Sequence, residues 1–167
     1  MKIPKYIEFH NETNCVLSRI LKAAEPEEGC CILIGKRNRS VKDHKRNIWE
    51  VTHIWNCHNI WGEQESKLID QKIITFSNQK NMQLSKKNRF EIDAKDQIAS
   101  QKWARENALQ VLCCAHSHPR GENKPSEIDL FLIHHACKSP SLLDMTIRPG
   151  VCCRNKSISE GLFSPEG

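Results

Sequence analysis

The chain has 167 residues and a formal net charge of +5, with a mean hydropathy of −0.58. This length fits one domain, so we expect residues 1–167 to fold as a single unit. No stretch approaches the roughly 18 consecutive apolar residues of a membrane-spanning helix, which argues against a membrane protein. Residues 1–6 lack the apolar stretch of a signal peptide, which predicts a cytoplasmic location.

Cysteine is unusually frequent, with nine residues that include adjacent pairs at 30–31, 113–114 and 152–153. None has Cys-x-x-Cys spacing, and adjacent residues of a strand point to opposite faces, so a zinc ribbon is not indicated. The odd count and the lack of a secretion signal predict reduced, mostly buried thiols. No cysteine has an obvious electropositive setting that would activate it as a nucleophile.

Hydrophobic periodicity defines the predicted elements of the first half of the chain. They are, in order, a helix at 12–24, a strand at 30–34 and a strand at 50–54. Asn11 or Thr13 can cap the helix. Val16, Leu17 and Leu21 fall at helical spacing, which predicts that they share its apolar face.

The interval 56–88 lacks a clear period. Residues 73–76 could form a short strand, and the polar residues 77–81 are typical of a mobile loop. The elements expected after it are a strand at 89–92, a helix at 94–107, a strand at 109–115, a helix from 126 to about 137, and strands at 142–147 and 158–163. Asp93 caps the helix at 94–107, and Ile98 lies among its apolar residues. Together the elements predict an α+β fold, a sheet flanked by helices.

A basic run at 36–46 follows the first predicted strand. A solvated hairpin loop is the default interpretation of such a run. Nucleic-acid binding is the sharper alternative, but the run contains no aromatic residue that could stack on a base, which weakens that interpretation. A third use would be to steer an acidic protein substrate towards a site.

The residues with the clearest chemistry follow the strand at 109–115. His116 and His118 are two apart, and residues i and i+2 of extended backbone project from one face, so both imidazoles can point at one ion. Asp129, in the first turn of the next helix, can bring a carboxylate to the same point. Two imidazole nitrogens and one carboxylate suit zinc, and three protein ligands leave a fourth position for water, as in catalytic zinc sites.

The same stretch also has a purely structural interpretation. Ser126 and Asp129 are close to a capping box, with Ser126 at the N-cap and Asp129 at N3. Taken alone, such a pair is more often a cap than a site, because caps are common at helix starts. Capping and metal ligation are compatible, and the joint pattern favours the metal site. His134 and His135, further along this helix, are expected to be surface or packing residues.

His-x-His, seven residues and Ser-x-x-Asp resemble the signature of the JAMM (MPN-plus) zinc metalloproteases. That family also has an upstream glutamate before a strand that ends in glycine, and the segment 28–35 is similar to this pattern, with Cys31 where the family often has glycine. The resemblance extends over about residues 10–147 and is clearest at 28–35 and 89–129. It implies a curved mixed sheet flanked by helices, in a layer arrangement like that of cytidine deaminases.

For the site, the resemblance implies one catalytic Zn²⁺ bound by His116, His118 and Asp129. Glu28 would be the general base, which takes a proton from water and later delivers it to the leaving amine. Ser126 would donate a hydrogen bond to the developing oxyanion.

The resemblance also implies a substrate class. JAMM proteins hydrolyse amide or isopeptide bonds at the C-terminal tails of ubiquitin and ubiquitin-like proteins. The segments 49–61 and 89–119 look most like small bacterial members, particularly cyanobacterial ones, and such members look like processors of sulfur-carrier proteins with Gly-Gly tails.

Two other functions stay open at this point. A metal-free MPN-type scaffold would be expected to lack a ligand or Glu28, and this chain keeps all of them. A nucleic-acid-associated protein, like the RadC relatives that share the motif, would bind DNA with a steep dependence on salt concentration.

Overall fold

The computed structural model describes residue 4 and residues 6–39, 47–63, 75, 83–119, 126, 127, 129 and 144–147. The elements are, in chain order, β1 (Tyr6–Phe9), α1 (Thr13–Ala23), β2 (Cys30–Arg39), β3 (Asn47–Cys57), α2 (Ala94–Glu106), β4 (Gln110–Ser117) and β5 (Asp144–Ile147). The described strands form one five-stranded sheet in the order β1-β3-β2-β4-β5. The sheet is mixed, because β2 is antiparallel to β3 and β4 whereas β1 and β5 are parallel to their neighbours. The predicted α+β class is confirmed.

Alternate side chains of the central strand β2 face two separate cores, as the period of two in a strand requires. Leu33 lies in one core with Leu21 of α1. Its neighbours Ile32 and Ile34 lie in the second core with Ala104 of α2. Each face of the sheet is therefore packed against a helix. Within the described residues, neither helix has the length and apolar character needed to cross a membrane.

The first hairpin differs from the prediction, because β2 continues to Arg39 instead of ending at residue 34. Residues 36–39 of the basic run are thus strand, and 40–46 lie outside the described residues. A register shift between Ile34 and Gly35 lets the pairing with β3 continue. A Cβ atom at Gly35 would lie 1.8 Å from the Glu50 carbonyl oxygen, so this close approach requires glycine.

Tertiary packing explains why a strongly basic segment is strand. Arg37 places its guanidinium 5.0 Å from the centre of the Trp49 ring. The same guanidinium donates a hydrogen bond to the Val111 carbonyl at 2.8 Å. The basic residues of this segment predict that it is exposed. They do not predict that the guanidinium stacks on an aromatic ring, a contact that stabilises the positive charge within the sheet.

The start of α1 also corrects a prediction. Its N-cap residue is Glu12, in the left-handed region at φ 59°, and no side chain caps the helix. The Thr13 hydroxyl donates to the His10 carbonyl at 2.7 Å, and Asn11 likewise does not cap the helix. Val16 is 40% exposed, so it lies off the buried face that Leu17 defines.

The helix α2 agrees with its prediction more closely. Asp93 is the N-cap, and its carboxylate accepts a hydrogen bond from the Lys95 amide at 2.9 Å. Ile98, one of the apolar residues of α2, is 67% exposed. The strand predicted at 89–92 is wrong, because only Ile92 makes a bridge there, to Asn59.

One strand was not predicted, and several further predictions differ from the structure or lie outside the described residues. The strand β1 was not predicted, because four residues are too short to show a period. Thr75 is helical, which contradicts the short strand at 73–76 at this residue. β5 confirms residues 144–147 of the strand predicted at 142–147. Three other predictions lie outside the described residues, namely the loop at 77–81, the strand at 158–163 and most of the helix at 126–137.

The two helices give a matched test of which apolar side chains stabilise the fold. Leu21 is fully buried and Ile98 is 67% exposed. We expect Leu21→Ala to lower the free energy of unfolding by about 2–5 kcal/mol, because it leaves a cavity between α1 and the sheet. Ile98→Ala should change it by no more than about 0.5 kcal/mol. Urea denaturation measures both, and equal losses would contradict the assigned burial.

Candidate metal centre

The predicted site residues come from three separate parts of the fold. His116 lies on β4 directly opposite Cys30 of β2, and His118 follows the end of β4. Glu28 lies two residues before β2, and Asp129 is helical and lies three residues after Ser126. The exposed fraction is 4% for Glu28, 0% for His116 and 4% for Asp129. Several ionisable groups are therefore buried at one point, which is costly unless they pair or bind a metal.

The ligand atoms proposed from the sequence are close together. His116 Nε2 and His118 Nε2 are 2.8 Å apart. Asp129 Oδ2 lies 3.5 Å from the first of these nitrogens and 3.2 Å from the second. Tetrahedral zinc with bonds of about 2.0–2.1 Å separates its ligand atoms by about 3.3 Å, so the three atoms fit such an ion. The expectation that both imidazoles project to one side is confirmed.

The second carboxylate lies beside this set. Glu28 Oε1 is 3.8 Å from His118 Nε2. The candidate ligand atoms of Glu28, His116 and His118 lie within 4.8 Å of one another, so Glu28 could also contribute to a metal site. The separations from Asp129 to the histidines are shorter, which favours Asp129 as the third ligand and leaves Glu28 next to the open side of the cluster.

The hydrogen bonds of Ser126 and Asp129 agree with both interpretations of these residues, as a helix cap and as part of a metal site. The Ser126 amide donates to Asp129 Oδ2 at 2.7 Å, and the Asp129 amide donates to Ser126 Oγ at 3.2 Å, which completes a capping box. The Ser126 hydroxyl also donates to Asp129 Oδ2, at 2.7 Å. The oxygen that caps the helix is therefore the same one that faces the histidines. The role of Ser126 as an oxyanion donor stays a prediction.

The electrostatics of the two carboxylates differ. Burial raises the pKa of Glu28 to about 7, although His116 and His118 oppose the shift. Burial also acts against ionisation of Asp129, but hydrogen bonds from His116, His118 and Ser126 outweigh it and hold the pKa of Asp129 well below its usual range. Asp129 is thus an anion at neutral pH, as a metal ligand must be, and Glu28 can gain or lose a proton there.

The pKa of His118 moves in the opposite direction from what burial alone would cause. Burial acts to lower it, but the hydrogen bond to Asp129 and the charge of Glu28 outweigh that effect and raise the pKa. Anionic groups on both sides therefore stabilise positive charge at this imidazole, which is the field that a bound cation would experience.

An aromatic and cationic wall beside the site was not anticipated from the sequence. The Phe90 ring stacks on the His116 ring with centroids 4.5 Å apart and planes 25° apart. Arg89 is buried, with its guanidinium 5.2 Å from the centre of the Trp61 ring. The sequence at 89–92 was interpreted as a strand, and no spacing rule connects it to a histidine more than twenty residues later.

Two of the described cysteines are held as unreactive thiols. The six that the structure describes are reduced, and five of them are buried, as predicted. Burial raises the pKa of both Cys31 and Cys57 well above the usual range of a thiol. Since thiolates rather than thiols react, such cysteines are chemically inert near neutral pH.

Alkylation tests this assignment. We expect iodoacetamide near neutral pH to leave Cys31 and Cys57 unmodified in the folded protein, because neither thiol ionises there. Both should be modified once urea unfolds the chain. Mass spectrometry of the peptides measures each residue separately. Rapid modification of either residue before unfolding would contradict the burial described here.

Comparison with known proteins places this geometry in a family. The profile of prokaryotic homologs of the JAB domain, Prok-JAB, matches residues 11–152. No curated protein matches the chain.

Two solved structures are similar. The solution structure of a Desulfitobacterium hafniense protein has 21% identity and a TM-score of 0.53, and the match covers 75% of this chain and 66% of that one. The solution structure of a Salinibacter ruber protein has 17% identity and a TM-score of 0.45, with coverage of 95% and 92%. The first likeness concerns the fold alone. The profile match covers most of the chain and agrees with the resemblance of its motifs, and the protein therefore belongs to the family of prokaryotic homologs of the JAB domain.

Proposed function

We propose that this protein is a zinc-dependent hydrolase that cleaves an amide or isopeptide bond at the C-terminal tail of a ubiquitin-like protein of the sulfur-carrier type. The observation that carries the proposal is the buried cluster of His116, His118 and Asp129, whose ligand atoms lie 2.8–3.5 Å apart. Glu28 beside them supplies the second carboxylate that water activation needs.

The donor set fits zinc better than a hard cation. Two imidazole nitrogens and one carboxylate oxygen are typical zinc ligands, whereas magnesium and calcium prefer oxygen alone. When bound by His116, His118 and Asp129, zinc supplies Lewis acidity, which polarises a carbonyl oxygen and lets water ionise near neutral pH.

Glu28 moves the proton in the proposed reaction. Its carboxylate takes a proton from the water that attacks the carbonyl carbon, and then gives this proton to the nitrogen of the departing amine. Without a metal, burial raises the pKa of Glu28 to about 7. A bound Zn²⁺ would lower this pKa and so favour the carboxylate that accepts the proton. Low exposure of this side chain, 4%, also keeps bulk water from competing with the substrate.

Ser126 stabilises charge in the proposed transition state. Its hydroxyl shares a hydrogen bond with Asp129 Oδ2 and can turn to donate to the oxyanion that develops on the substrate carbonyl. One such donor is worth on the order of 3 kcal/mol in the transition state. The helix cap would survive this rotation, because the Ser126 amide donates to Asp129 independently.

A carrier-type substrate is supported by the family and by steric sense. The chain belongs to the prokaryotic homologs of the JAB domain and resembles their small bacterial members, and a Gly-Gly tail is narrow enough to reach a carboxylate that is almost fully buried. The net charge of +5 is compatible with an acidic protein partner.

Cleavage of carrier–peptide fusions tests the proposal. Purified protein should cleave fusions joined after a Gly-Gly tail, and a chelator should abolish cleavage until zinc is added back. A fusion with bulky residues in place of the two glycines is the control and should resist cleavage. Unchanged cleavage in excess chelator would contradict a metal mechanism, and no cleavage of any carrier by zinc-loaded protein would favour a catalytically silent scaffold.

A further inference from the structure

The peptide that carries Glu28 is held at each of its backbone polar groups. The Glu28 amide donates to the Lys86 carbonyl at 2.7 Å, and the Glu28 carbonyl accepts from Asn59 Nδ2 at 3.0 Å. The Gly29 amide donates to Ser117 Oγ at 2.9 Å, and the Gly29 carbonyl accepts from the Ser117 amide at 3.0 Å. A shift of this backbone would break at least one of these hydrogen bonds. The Cα atom from which the Glu28 side chain extends is therefore held in place.

Asn59 contributes more to this arrangement than its contact with Glu28. Its Nδ2 also donates to the Arg89 carbonyl at 3.1 Å. Its Oδ1 accepts from the Trp61 amide at 3.1 Å and from the Glu91 amide at 3.2 Å. A carboxamide has two donors and two lone pairs, so all four hydrogen-bonding positions of this side chain are used on backbone groups.

Asn59 also binds the segment 89–91, which packs against one of the proposed metal ligands. Arg89 and Glu91 flank Phe90, whose ring stacks on His116 with centroids 4.5 Å apart. The residue after His116 is Ser117, which binds the backbone of Gly29 directly. The Asn59 carboxamide thus links the backbone of Glu28 to the segment 89–91, whose Phe90 ring packs against His116.

We infer that Asn59 is a positioning residue for the proposed reaction, which holds the Glu28 carboxylate at a fixed distance from the histidine cluster. The inference rests on the proposed function of Glu28. Aspartate at this position would keep the two acceptor contacts but would place a carboxylate oxygen against the carbonyls of Glu28 and Arg89. Alanine would remove all four contacts.

Kinetics of Asn59→Asp test the inference. We expect kcat for carrier-fusion cleavage to fall by about 10- to 100-fold, because a small misplacement of a catalytic group has an effect of this size. KM should stay within about twofold of wild type, because the four hydrogen bonds of Asn59 are all with backbone groups of this chain. Zinc content should not change. Asn56→Asp, at an exposed position near the end of β3, is the matched control and should behave as wild type. Wild-type kcat in Asn59→Asp would overturn the inference.

A double-mutant cycle separates positioning from general damage. In a Glu28→Gln background, Asn59→Asp should cause no further loss of the residual activity, because its effect passes through the Glu28 carboxylate. The same fractional loss in both backgrounds would overturn the inference.

Hydrogen exchange provides a readout that does not depend on activity. In Asn59→Ala the amides of Trp61 and Glu91, which donate to Asn59 Oδ1, and the amide of Gly29, whose peptide group includes the Glu28 carbonyl that Asn59 holds, should exchange at least about tenfold faster than in wild type. Asn56→Ala should leave all three rates unchanged. An unchanged Gly29 amide in Asn59→Ala would overturn the inference. If the wild-type protein cleaves no carrier fusion, the proposed function fails, and this exchange measurement still decides whether Asn59 holds the Glu28 peptide.

Discussion

Glu28→Gln should lower kcat by about 10²- to 10⁴-fold, the usual contribution of a general acid–base group. Glutamine has nearly the same shape as glutamate but cannot take a proton from water at neutral pH. Glu28 Oε1 lies 3.8 Å from His118 Nε2, beside the three proposed ligands rather than among them. The variant should therefore still bind zinc with wild-type stoichiometry. Steady-state kinetics with a carrier fusion and metal analysis of the same sample measure the two quantities.

The neighbouring residue gives the control for this substitution. Glu27 is exposed and adjacent in the chain, so Glu27→Gln makes the same chemical change outside the buried cluster. Its kcat should equal that of wild type. If Glu28→Gln cleaves as fast as wild type, Glu28 is not the base. If it loses zinc together with activity, Glu28 is a metal ligand, as its place within 4.8 Å of both histidines would allow.

Asp129→Asn should reduce zinc affinity by at least about 100-fold, since even changes to groups that only support metal ligands cost about 10- to 100-fold. The substitution separates the two roles of this residue. The asparagine side-chain oxygen can still accept the hydrogen bond from the Ser126 amide, so the helix cap is preserved. It has no negative charge, however, and is a poor zinc ligand. Competition with a chromophoric chelator measures the affinity.

Two comparisons complete this experiment. Glu127→Gln, at an exposed position of the same helical turn, should leave zinc affinity unchanged. In the presence of chelator, Asp129→Asn should melt below wild type but still unfold cooperatively, because the cap remains while the charge-assisted hydrogen bonds from the histidines are lost. Wild-type zinc affinity in Asp129→Asn would show that Asp129 only caps the helix and would remove it from the ligand set.

The site was largely accessible from the sequence because its chemistry is local. His116 and His118 are separated by one residue at the end of a strand, so their common direction follows from extended backbone. Ser126 and Asp129 are separated by one helical turn, so their contact follows from helix geometry. Glu28 is distant in the chain, and only the family resemblance connected it with the histidines.

The support around the site was not accessible in this way. Asn59 lies in an interval without a period, and its partners Arg89 and Glu91 are thirty residues away. One local signal was present, because the contact from the Trp61 amide to Asn59 Oδ1 is an Asx-turn just before Gly62. Such a turn predicts a bend in the chain and does not predict that the free amide group binds Glu28.

The errors in predicted burial and in predicted secondary structure arise from how the elements pack together. Helical spacing placed Val16 on the apolar face of its helix, and Ile98 is an apolar residue of the second helix, but the sheet covers only part of each helix, and both residues are exposed. Basic residues predicted a loop after residue 35, but stacking of Arg37 on Trp49 allows the strand to continue. In the second case a contact between distant elements overrides the local pattern.

The most direct test of the account is the zinc content of the purified native protein, together with anomalous diffraction at the zinc edge to locate the ion. We expect one zinc per chain and a single peak between His116 Nε2, His118 Nε2 and Asp129 Oδ2. Protein that takes up no zinc when it is offered, or a peak away from these three atoms, would contradict the central claim that the buried cluster is a catalytic metal centre.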